Sequence, residues 1–77
     1  MMKHTDLEKR IAKELGVTPF GLDVILRIHR GDKISGNNSG TMLQRLGLVT
    51  EWDTRAGRRR LTPAGEEIYR RARVMGY

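Results

Sequence analysis

The chain of 77 residues contains no cysteine, only two prolines and one tryptophan, and aromatic residues make up just 5% of it. Without cysteine there is no disulfide, no thiolate metal site and no cysteine nucleophile. Acidic residues are also in the minority: 9 Asp and Glu stand against 15 Lys and Arg, a net charge of +6. Such a balance points to a polyanionic partner. No apolar run approaches the ~18 residues of a membrane span, and the N-terminus lacks the apolar stretch of a secretory signal. A soluble, cytoplasmic protein is therefore expected. A chain this short holds one domain with a modest core, which excludes a large enzyme. Hydrophobic residues at 38% still suffice for a packed domain rather than a basic tail.

What the sequence does contain is a set of helix signals. Thr5-Asp6-Leu7-Glu8 fits a capping box, and Leu7, Ile11 and Leu15 then recur every fourth residue until Gly16, so a first helix is expected over about 6–15. Thr18-Pro19 starts a second, with Val17 stapled onto Leu22; Phe20, Leu22, Val24, Ile25, Leu26 and Ile28 cover most of its circumference. A helix apolar nearly all round belongs at the centre, and this one ends at Gly31. Residues 31–41, GDKISGNNSGT, read as a loop. Asn38 or Ser39 can cap a short third helix, about 39–46, with Met42, Leu43 and Leu46 on one face and Gly47 as its stop. Thr62-Pro63 opens a fourth, about 63–75, whose buried face is Ala64, Ile68, Ala72 and Met75.

Between the last two helices, Leu48-Val49-Thr50-Glu51-Trp52 is rich in strand-forming residues and Arg58-Arg59-Arg60-Leu61 can pair with it across a turn, which reads as a β-hairpin. From Leu43 to Arg71, the run LQRLGLVTEWDTRAGRRRLTPAGEEIYRR resembles the stretch of bacterial MarR-like and PadR-like regulators in which a helix ends in Gly-Leu-Val, a wing follows, and Leu-Thr-Pro-Ala-Gly opens the next helix. The resemblance implies an α+β, mostly helical winged helix-turn-helix fold: about four helices, with a two-stranded β-hairpin wing between helices three and four. It also implies binding to double-stranded DNA, the role of a small transcriptional regulator or phage-type accessory factor. Only 15 residues separate Gly31 from Gly47, against the roughly 20 that a helix, turn and recognition helix need, so the helix-turn-helix region is shortened. A protein-interaction module on the same scaffold is the alternative reading that this shortening motivates.

The expected contacts follow from side-chain chemistry. Arg55, Arg58 and Arg60 are assigned to phosphates, with Arg59 and Leu61 on the other face of the hairpin because side chains alternate along a strand. The rival reading of the four arginines is a charged, solvated hairpin. On helix three, Thr41, Gln44 and Arg45 oppose the apolar face, and Asn37, Asn38 and Ser39 cluster at its start; amides and guanidinium groups suit base edges and helix-start N–H groups suit phosphate oxygen. For Trp52, core packing is favoured over base stacking. Arg70, Arg71 and Arg73 are accounted for by the negative end of their helix. His4 and His29 stand in no metal or catalytic motif, and the glycines at 31, 36 and 40 match no phosphate-binding loop. No catalytic residue, metal or cofactor is expected. Helices one and four are the candidates for a homodimer contact, and the residues leave the oligomeric state open.

Overall fold

The computed structural model describes residues 4–32 and 38–77. Four helices form: α1 over Asp6–Leu15, α2 over Pro19–Arg30, α3 over Asn38–Arg45 and α4 over Pro63–Val74. Each begins or ends as its local chemistry dictates. At α1 the Thr5 hydroxyl accepts from Glu8 N–H at 3.1 Å while Glu8 Oε1 accepts from Thr5 N–H at 3.0 Å, a complete capping box. The Thr5 N–H above all, with the Thr5 hydroxyl beside it, favours the charged carboxylate, so the Glu8 carboxyl is held below its ordinary pKa. Thr18 and Thr62 cap α2 and α4 by the hydroxyl alone, accepting from Gly21 N–H and Gly65 N–H, each with proline at the first helical position, where an N–H is not missed. Beyond α3, Gly47 takes the left-handed conformation (φ 76°), and Leu48 N–H closes back onto the Leu43 carbonyl at 2.9 Å.

The central position of α2 is as its composition requires: it packs against α1, α3 and α4. Val24, Ile25 and Ile28 join Leu43, Leu48 and Val49 in one buried cluster, while Leu22 joins Ile11, Ala12, Leu15 and Ala72 in a second. Val17 and Ile68 touch both. Leu22 and Ile25 are buried completely, and each such side chain contributes roughly 1.5–3 kcal/mol of hydrophobic stabilisation. Among the described residues, no helix is long and apolar enough to cross a membrane.

Several expected core positions are not buried. Met42 and Leu46 are both 55% exposed: among the described residues α2 is the one helix that packs on α3, and it covers the stripe carrying Leu43. Leu7 is 47% exposed and lines a surface cleft with Leu26 and the chain end at Gly76 and Tyr77. Ala64 is exposed and the adjacent Gly65 is buried in its place, since the first turn of α4 docks on the Leu48 carbonyl.

The larger correction concerns the wing. Among the described residues there is no β-strand, so the α+β assignment with a two-stranded hairpin does not hold and the structure is a small, mostly helical one. Between α3 and α4 lie two isolated antiparallel bridges, Val49 with Leu61 and Asp53 with Arg58. They are out of register: Val49 to Asp53 is four steps along the chain, whereas Arg58 to Leu61 is three. The surplus residue on one side interrupts the ladder as a bulge does, so pairing cannot propagate from one bridge to the other. Three consecutive arginines on the facing side add little strand propensity. The result is a bridged loop, residues 48–62.

Candidate nucleic-acid interface

The loop is built around Asp53. Its Oδ1 accepts from the backbone N–H of Arg55 at 2.9 Å and of Ala56 at 3.2 Å, and its carbonyl accepts from Gly57 N–H at 2.7 Å. Such a side-chain-to-backbone turn is what aspartate does best in a tight reversal. At the base of the loop, Thr50 N–H donates to the Arg60 carbonyl at 2.8 Å and the Thr50 hydroxyl accepts from Arg60 N–H at 3.0 Å. The reversal thus carries Arg55 near its tip and Arg58, Arg59 and Arg60 on its returning limb.

These four arginines differ in surroundings. Arg55 and Arg60 are exposed, whereas Arg58 and Arg59 are half-buried. Arg58 lies over the end of α2, its Nη1 3.7 Å from where a Cβ on Gly31 would stand. Arg59 reaches α3: its Nη1 donates to Gln44 Oε1 at 2.6 Å and to the Thr50 carbonyl at 3.0 Å. Gly40 is what lets it lie there, for a Cβ at that position would stand 3.1 Å from Arg59 Nε. None of the salt bridges among the described residues involves Arg55, Arg58, Arg59 or Arg60. By contrast Arg27, Arg30 and Arg70 are paired with Asp23, Asp32 and Glu67 at 3.6, 2.6 and 2.8 Å. The bond from Arg30 holds the Asp32 carboxyl below its usual range.

Arg58, Arg59 and Arg60 all line one polar groove of about 230 Å³, with Ile28, His29 and Glu66 on its opposite wall. His29 is held there by stacking on Tyr69, centroids 3.7 Å apart, and by Glu66 Oε2 at 3.2 Å from its Nδ1. On α3, Thr41, Gln44 and Arg45 are exposed. Gln44 is less available to a ligand than its sequence position implies, because its carbonyl oxygen is taken by Arg59. Asn37 lies outside the described residues, and Asn38 and Ser39 are described only as the first positions of α3.

Two residues carry more of the surface than sequence reasoning assigned them. Arg59, set aside as facing away, joins the loop to α3. Trp52, assigned to the core, packs against neither buried cluster; it is half-buried and lines an open cleft of about 580 Å³ with Thr50, Glu51, Asp53, Arg55 and Arg60. The polar neighbours Glu51 and Asp53 on either side of it were the available signal. Among the described residues, no three of His, Cys, Asp and Glu are grouped to hold a metal ion. Comparison with models of protein families, with curated proteins and with solved structures finds no match.

Proposed function

We propose that this chain binds double-stranded DNA through phosphate contacts from the arginine-bearing loop between α3 and α4, with the exposed face of α3 beside it. It would act by occupying a site, as a small transcriptional regulator or phage-type accessory factor does, and not by chemistry. The observation that carries this reading is the tie from Arg59 to Gln44. It fastens the loop to α3, and Arg55 and Arg60 on the loop are exposed, as are Thr41 and Arg45 on the helix, with no carboxylate in a salt bridge to the loop guanidiniums among the described residues. Guanidinium groups left to solvent in this way are suited to phosphate oxygens, to which they donate in pairs.

The test is fluorescence anisotropy of a labelled duplex titrated with protein at several salt concentrations. Each engaged arginine adds about 0.9 to the slope of log affinity against log salt. Arg55→Ala together with Arg60→Ala is expected to flatten that slope by about 1.8 and to weaken binding alike on unrelated sequences. An affinity indifferent to salt would overturn the proposal. One observation favours the protein-interaction alternative, namely the exposure of Met42 and Leu46 one turn apart on α3. Absence of any duplex binding at low salt and tens of micromolar protein would decide for it, since non-specific DNA binders reach ~10⁻⁴ to 10⁻⁶ M.

A further inference from the structure

We infer that the cleft beside Trp52 is a stacking site for an unpaired nucleobase, with Arg55 and Arg60 holding the phosphates that flank it. The inference rests on the DNA-binding reading above and names a feature of the nucleic acid that reading leaves open. Three observations lead to it. Trp52 is the only tryptophan of the chain and stays out of both buried clusters, although a side chain of this size would contribute more to a small core than any other residue present. It sits on the limb of the loop that carries the surplus residue between the two bridges, and a bulge of this kind re-aims side chains and opens space beside them. The space so opened, about 580 Å³, is within the range of small-ligand sites.

The rim chemistry selects among ligands. Arg55 and Arg60 line the same cleft as Glu51 and Asp53, so its rim offers both guanidinium donors and carboxylate acceptors, more than a bare anion uses. A nucleotide matches every part: its base has a π-face for the indole, its amino and imino N–H groups suit a carboxylate that can only accept, and its phosphates suit the guanidiniums. Asp53 is already engaged by two backbone N–H groups and shapes the cleft, which leaves Glu51 as the acceptor for the base. A fully paired duplex cannot enter, since its bases are stacked on one another; a single-stranded overhang or a flipped base can.

The experiment uses the whole chain and two DNAs of equal duplex length, one blunt and one with a short 3′ single-stranded overhang, each labelled for anisotropy. Emission from Trp52, the sole indole, reports the cleft independently. The overhang DNA is expected to quench that emission and to bind about tenfold more tightly than the blunt one, the usual return of one base stacked on an aromatic ring. Trp52→Leu should bring the preference to about one, and Trp52→Tyr should retain most of it, with circular dichroism confirming that both variants fold. Equal affinities and unchanged emission, with the blunt duplex still bound, would overturn the stacking site while sparing the phosphate-binding surface. Binding of neither DNA would overturn both.

Discussion

Gly65 occupies a position that admits no side chain. A Cβ there would stand 2.0 Å from the Leu48 carbonyl oxygen and 3.0 Å from its carbon, both backbone atoms that cannot swing aside. The close approach lets Thr62 N–H reach the same carbonyl at 3.0 Å, fastening the start of α4 to the end of α3. Gly65→Ala should therefore destabilise the protein by about 2–3 kcal/mol or more, read from the urea midpoint. The sequence marks Thr62-Pro63 as a helix start, but the reason for glycine two residues later lies in a contact with Leu48, 17 positions away, and no local pattern encodes it. Glu8 is the opposite case, legible in full because its partner Thr5 is three residues off. Its pKa is depressed on folding, so its stabilisation is complete above the unfolded-state value near 4.5 and fades as pH falls through the lower folded value. Thr5→Ala removes the hydroxyl but keeps the N–H, so the Glu8 titration, followed by NMR, should move only part of the way to its ordinary position, whereas Glu8→Gln should remove this contribution to the acid sensitivity altogether.

Among the elements, helices were readable and the loop was not. Caps, prolines and stop glycines are short-range devices, and α1, α2 and α4 lie within a residue of where these place them. Which stripe of α3 is buried depends instead on how many neighbours it has, and one neighbour leaves Met42 and Leu46 uncovered. The loop failed as a hairpin for a reason propensity does not register, an unequal number of residues on its two limbs. The attachment of loop to helix can be tested through Arg59, whose Nη1 donates to both Gln44 and Thr50. Lysine ends in a compact, strongly hydrated ammonium on a flexible stem, which holds such a pair of partners less firmly than the planar guanidinium. Arg59→Lys should lower hydrogen-exchange protection along α3 while leaving the thermal midpoint within a few degrees of the parent, because the bonds lost are exposed ones.

At the scale of the molecule, two apolar clusters share α2 and are bridged by Val17 and Ile68, so a single cooperative transition is expected. Ile25→Ala removes a fully buried side chain from this arrangement, at a cost of about 2–5 kcal/mol. In a domain so small this is a large share of the total, and loss of the cooperative thermal transition near physiological temperature is the expected result. The central role of α2 was evident from its composition; the division of the core into two clusters depends on helix orientation and was not. The misregister between Val49–Leu61 and Asp53–Arg58 has one more effect. Fibrillar aggregation starts where one molecule offers another a straight, unsatisfied backbone margin, and a margin bent by a surplus residue offers a poor template. Shortening the limb between Val49 and Asp53 by one residue would align the pairs and straighten that margin, and the shortened variant is expected to scatter light and bind thioflavin on concentration more than the parent does.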